Sequence, residues 1–278
     1  MLVLHRTPSQ RFHQQVQNLT EKTDVTVDRR PNGEVRITIN RLQQHNALSA
    51  SVLAGIAAHV ASAAGEPGTK LVLLAGVGDK YFAAGGDLRE LSSVRTEQAV
   101  LDMTHEARSA LDAIRHSAVP VIACLNGDAI GGGAELALAC DMRLIASSAR
   151  IGFIQGKLAI TSAWGGGVDL VQLVGPARAM RMMARCELVA ATEALLWGLA
   201  DASFADGVDG TEVRAFIDPM LRLAPHVLRG IKAQTRAWRG GASYQDRLAL
   251  EQSHLVKSWL HDDHWAAAEK ILKKGASQ

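Results

Sequence analysis

The sequence predicts an α/β protein of stacked ββα units followed by a helical region. Three observations carry that expectation. Residues 70–75 (KLVLLA) and 121–125 (VIACL) are almost wholly apolar, as strands buried on both faces are. The order strand–helix–strand–loop–helix–strand occurs twice in a similar layout. From about residue 177 the pattern turns nearly all helical.

Each element has its own reason. Residues 24–40 read as two strands: Val25 and Val27 alternate with polar neighbours, and so do Val35, Ile37 and Ile39. Pro31-Asn32-Gly33 between them is hairpin chemistry. Val52, Leu53, Ile56, Val60 and Ala61 fall at helical spacing, with Ser49 as the cap. Strand 70–75 leads into a Gly-rich loop, GVGDKYFAAGGDL. Val100, Met103, Ala107, Leu111 and Ile114 then form a helix stripe. Pro120 closes the linker before strand 121–125, and NGDAIGGGAELALACD reads as a loop running into a helix. Residues 143–146 and 151–154 read as strands. The divisions are a polar extension at 1–23, the core at 24–200 and the helical region at 201–278.

Composition narrows the class. The 278 residues are 47% hydrophobic and 21% charged, with ample apolar material for a globular core. Thirty Lys and Arg stand against 28 Asp and Glu, so no charge field points to nucleic acid. Cys124, Cys140 and Cys186 lie in apolar surroundings without a CxxC spacing, and are expected as buried free thiols in a reducing compartment. No apolar run reaches the ~18–20 residues that a membrane span needs. The start, MLVLHRTPSQRF, is too short in apolar residues for a secretory signal. Arg6 and Arg11 with no acid before Glu21 faintly suggest a transit peptide, but a polar terminus is the favoured reading. A cytoplasmic location is expected.

Two glycine runs suggest chemistry. Gly131-Gly132-Gly133 precedes Ala134-Glu135-Leu136, the first turn of an apolar helix. Gly85-Gly86 follows Phe82-Ala83-Ala84. An enolate on a thioester oxygen needs two backbone N–H donors, and glycines let a backbone come close. A helix N-terminus adds partial positive charge. Either run alone is a common turn.

Together the segments are more specific. YFAAGGDLREL (81–91) and NGDAIGGGAELALACDMRLIA (126–146) resemble the two oxyanion-loop motifs of the enoyl-CoA hydratase/isomerase, or crotonase, superfamily. NRLQQHNALS (40–49) looks like its early CoA-contact segment, and AWGGGVDLVQLVGPARAMRMM (163–183) resembles its later Gly-Gly segment and helix. The resemblance implies a crotonase-type spiral of ββα units with a C-terminal helical oligomerisation region, and a homotrimer or homohexamer. It implies that the Gly86 and Gly132 N–H groups hold the oxyanion. The backbone near Ala84 would meet the adenine of CoA. The loop 41–48, including Ala47, would follow the pantetheine, with Arg41 and His45 at the phosphates; Gly131 belongs to the same CoA-binding set.

Glu135 matches a catalytic glutamate of the family's hydratases; its bland reading is an acid complementing a helix dipole. The second hydratase glutamate aligns with Gln155, an amide that cannot carry a proton as a carboxylate does. That departure turns the expectation away from simple hydration. FIQGKLAITSAWGGG and the late KSWL–DDHWAAAEK tail look most like the ethylmalonyl-CoA decarboxylase branch. Decarboxylation of a malonyl-type CoA is therefore expected, with Gln155, Lys157 or Trp164 near the leaving carboxylate. Hydration or isomerisation of an enoyl-CoA, or acyl-CoA binding without turnover, are the alternatives. No cofactor beyond the substrate's own CoA and no metal is expected. His261-Asp262-Asp263-His264 is read as a helix start capped by Asp263.

Overall fold

The computed structural model describes residues 23–275. The N-terminal extension, with its suggested leader character, lies almost wholly outside them.

The hairpin forms as its alternation requires. β1 (Val25–Arg29) and β2 (Glu34–Ile39) pair antiparallel, Val25 opposite Ile39. Gly33 turns the chain at φ +90°, where a Cβ would meet Gly68 O at 2.7 Å. α1 (Ala50–Gly65) starts at Ser49, whose Oγ accepts the Val52 N–H at 3.2 Å. Val52, Leu53, Ile56 and Val60 bury one face of it.

The chain then repeats one unit: a strand for a large sheet, a short strand for a small sheet, and helix. β3 (Leu71–Gly76) and β4 (Tyr81–Ala83) lead to α2 (Leu88–Leu91) and α3 (Glu97–Arg115). β5 (Val121–Leu125), β6 (Asp128–Ile130) and α4 (Gly132–Ala139) follow. β7 (Met142–Ala146), β8 (Arg150–Gly152) and α5 (Gly166–Val174) are next. The large sheet has the order β1-β2-β3-β5-β7-β10, the small one β4-β6-β8-β9. From β2 onward the large sheet is parallel. Parallel neighbours need crossovers, so each unit advances the chain by one strand and the fold becomes a spiral. β3 and β5 are buried along their whole length, which explains their apolar composition.

α6 (Pro176–Ala184) and α7 (Ala191–Trp197) flank β9 (Leu188–Ala190), and β10 (Ala202–Phe204) follows. The helical region then runs through α8 (Thr211–Leu221), α9 (Pro225–Arg239), α10 (Tyr244–Trp259) and α11 (Asp262–Gly275). β9 and β10 correct the nearly all-helical reading after residue 177. They have three residues each, too few for alternation to show, and pairing with β8 and β7 makes them strands. β10 also carries the large sheet past residue 200. β4 is equally short and was hidden in the Gly-rich loop.

Cys124 and Cys140 are buried, and desolvation pushes their thiols to about 12, so they are inert. Cys186 is only half-buried, a departure from the expectation of three buried thiols. Among the described residues, no helix is long and apolar enough to cross a membrane.

Candidate active site

The three glycines before Glu135 serve three purposes. Gly131 sits at φ +57°, a conformation L side chains rarely adopt. Gly132 faces Trp164, whose ring a Cβ would overlap. Gly133 lies against Ala83 of β4, where a Cβ would overlap the Ala83 carbonyl. The run thus seats α4 on the small sheet and leaves the N–H of Gly132, its first residue, without an intrahelical acceptor.

The first glycine loop is held by the segment 41–48. Ala84 N–H donates to His45 O at 3.1 Å, Leu48 N–H to Gly85 O at 2.8 Å, and Asp87 N–H to Leu48 O at 3.0 Å. This bridge pairs Leu48 with Gly86 and does not use the Gly86 N–H. A Cβ built on Gly85 would lie 3.6 Å from Gly132 N, so the two loops stand side by side. Asn46, 1% exposed, locks the arrangement: its Nδ2 donates to Val77 O and Tyr81 O at 3.0 and 2.7 Å.

Glu135 is 2% exposed and fully engaged. Its Oε2 accepts the Trp164 N–H at 2.9 Å and the Gly166 N–H at 3.0 Å. Its Oε1 accepts from Gln155 Nε2 at 3.0 Å. Gly166 lies so close that a Cβ would be 2.5 Å from Glu135 Cγ, so α5 begins directly on the carboxylate. Burial raises the Glu135 pKa; the donors at Gly166, Trp164 and Gln155, with the Arg115 charge, oppose it without cancelling it. The second carboxylate of the hydratase pattern is an amide here, and Gln155 Oε1 is buried without a partner.

Behind Glu135 lies a layer that the sequence reading missed. Arg115 Nη2 donates to Trp164 O at 3.0 Å, and Arg108 Nε to Ala163 O at 2.7 Å. Arg115 is itself held by Asp169 at 2.9 Å, which also binds Arg239. Arg108, by holding the Ala163 carbonyl, fixes the peptide whose N–H is that of Trp164, and Arg115 fixes the next peptide in the segment that leads to Gly166. Arg115 ends the α3 stripe, and nothing in its spacing sets it apart from a surface residue.

Of the residues expected at CoA, Arg41 is placed differently from a free phosphate ligand. Its Nη1 donates to Ala47 O at 2.8 Å and Asp87 Oδ2 at 3.0 Å, so it latches the loop onto the residue after Gly86. Arg41 also lowers the Asp87 pKa, against the desolvation that raises it. His45 is exposed in a left-handed conformation at φ 54°, its ring 4.8 Å from that of Tyr81. Ala47 and Ala84 lie on the two paired segments, and Gly131 lies at the α4 start. Lys157 is solvent-exposed. A cavity of about 890 Å³ between α1 and α3, lined by Leu53, Leu91, Met103 and Ala107, ends at Trp164.

The model of the enoyl-CoA hydratase/isomerase family matches residues 29–273. The chain belongs to that family.

Relatives within the enoyl-CoA hydratase/isomerase family differ in activity. The chain is 35% identical over 163 residues to crotonyl-CoA hydratase of Syntrophomonas wolfei, covering 59% of this chain and 62% of that protein. It is 26% identical over 210 residues to ethylmalonyl-CoA decarboxylase of Xenopus tropicalis, covering 75% and 70%. In the first of these the match thus spans less than two-thirds of the relative. A crystal structure of an enoyl-CoA hydratase from Bacillus anthracis, 28% identical, superposes with a TM-score of 0.84 over 91% of this chain and 97% of that one.

Proposed function

We propose that this family member is an acyl-CoA lyase that decarboxylates a malonyl-type (alkylmalonyl) CoA. The observation that carries the reading is the partner of Glu135: it faces the amide of Gln155, not a second acid. The thioester oxygen accepts the Gly86 and Gly132 N–H groups. The bond between the α-carbon and the carboxylate breaks, CO₂ leaves, and the electron pair stays as an enolate on that oxygen. Glu135 delivers one proton to the α-carbon.

A charged Glu135 would repel the substrate carboxylate, so the reaction needs it protonated. The upward pKa shift from burial supports that state. A half-turn of the Gln155 amide brings its unpartnered Oε1 to the Glu135 hydroxyl as acceptor. The Trp164 ring over Gly132 offers an apolar face, which disfavours a carboxylate more than neutral CO₂.

Hydration or isomerisation of an enoyl-CoA is the second reading, favoured by the likeness to crotonyl-CoA hydratase. Exposed Leu255, Trp259, Leu260 and Trp265 on the last helices support a homotrimer or hexamer, and a cytoplasmic location is retained as part of this reading.

Mass spectrometry after incubation in D₂O with ethylmalonyl-, methylmalonyl- and crotonyl-CoA tests the reading. Loss of CO₂ with one deuterium at the α-carbon is expected. Water added to crotonyl-CoA with both malonyl thioesters untouched would overturn it in favour of the second reading. Tight binding without any reaction would leave only a thioester-binding role.

A further inference from the structure

The start of α9 meets the turn between α10 and α11. His226 and His261, 35 positions apart in sequence, stack their rings with centroids 4.1 Å apart and planes inclined by 24°. Asp263 stands beside both. Its Oδ2 is 3.8 Å from His226 Nδ1 and 3.5 Å from His261 Nδ1. One donor atom from each residue lies within 4.8 Å of the other two. The expectation that Asp263 caps the last helix is corrected here. α11 begins at Asp262, and the His261 ring caps it, its Nδ1 accepting the Asp263 N–H at 3.2 Å.

We propose that His226, His261 and Asp263 form a binding site for a divalent transition-metal ion of the zinc type. The donor set is two imidazoles and one carboxylate, which suits borderline cations such as Zn²⁺ over the oxygen-seeking Mg²⁺ or Ca²⁺. The spacing fits as well. Ligands at 2.0–2.1 Å around a tetrahedral ion lie about 3.3 Å from one another. The nitrogen–oxygen separations of 3.8 and 3.5 Å are slightly longer, and the two exposed imidazole rings must turn out of their stack for both in-plane lone pairs to reach one ion. His226 has 28% of its side chain exposed, His261 46% and Asp263 58%, so an incoming ion is not barred and water can complete its shell. The capping bond at His261 Nδ1 is exchanged for the metal bond.

The ion would clip α11 to the start of α9. The site is independent of the acyl-CoA chemistry. It requires only that the chain folds as described.

The test is equilibrium dialysis of the EDTA-treated full-length protein against Zn²⁺, with Mg²⁺ as control. Amide exchange of the segments around His226 and His261 is followed in parallel. One Zn²⁺ per chain is expected, with slowed exchange in both segments and no effect of Mg²⁺. His226→Asn and His261→Asn should each weaken that equivalent by at least about tenfold, the lower range lost even when a ligand's hydrogen-bond partner is removed. Asp263→Asn should also weaken it, and half-buried His226 and exposed His261 and Asp263 should tolerate substitution without unfolding. Absence of stoichiometric Zn²⁺ binding would overturn the proposal. So would binding that all three variants retain, or half an equivalent accompanied by association of chains.

Discussion

Glu135 combines two opposed influences in one side chain. Burial disfavours its charge, while three N–H donors and the Arg115 charge favour it, and burial prevails. Two of those donors are backbone groups: the Trp164 N–H shares a peptide with the Ala163 carbonyl held by Arg108, and Arg115 holds the next carbonyl, Trp164 O, on the way to Gly166. Arg115→Met removes both the grip and a positive charge, so the Glu135 pKa rises further. The limb of the pH–rate profile that reports Glu135 should therefore move to higher pH, and Arg115→Lys should restore part of the shift. Glu135→Gln should abolish that limb and lower turnover by roughly 10²–10⁴-fold, the usual contribution of an acid–base group. A profile unmoved by Arg115→Met would reduce Arg115 to scaffolding. The carboxylate and the amide were legible at this scale because each sits within a continuous motif. Arg115, Asp169 and the inward N–H groups were not, because they come from α3, α5 and the loop before α5 and meet only in space.

At the scale of elements, the two glycine loops are not equivalent. At Gly132 a Cβ would overlap the Trp164 ring, whereas at Gly86 it would meet the flexible end of Leu91 at 2.9 Å and Trp164 only at 3.4 Å. Both alanine variants keep their N–H donors. Gly132→Ala should displace Trp164 and lower kcat/KM by on the order of 10²-fold, as misplacement of about 1 Å can. Gly86→Ala should be milder. Equal losses would show that Trp164 does not set the difference. The paired loops were readable as motifs. The short β4, β9 and β10 were not, since three residues carry no period and become strands only through their neighbours.

Across the whole molecule, the opening hairpin is tied to the helical region by a buried acid. Glu34 is 0% exposed; its Oε2 accepts from Arg214 Nη1 on α8 at 2.6 Å, and its Oε1 from Arg36 Nη2 at 3.1 Å. Arg30 Nη1 lies 3.5 Å away. Glu34→Ala takes one of its two acids from the enclosed Arg36, which keeps Asp209 at 2.7 Å, and should cost roughly 1–3 kcal/mol, below the range for a buried charge left wholly unpaired. A lower urea midpoint with unchanged KM is the expected result; an unchanged midpoint would show that the network contributes nothing to stability.

The sequence by itself determined the order of ββα units, the strands buried on both faces, the two glycine loops and Glu135 opposite a missing second acid. These follow from local rules: apolar runs, helical spacing and contiguous motifs. Only the tertiary structure decided which backbone N–H groups face Glu135, that Arg41 is a latch, that Trp164 lies over Gly132, and that His226 meets His261. Each of these is a meeting of segments distant along the chain, and one-dimensional spacing carries no record of what the spiral brings together.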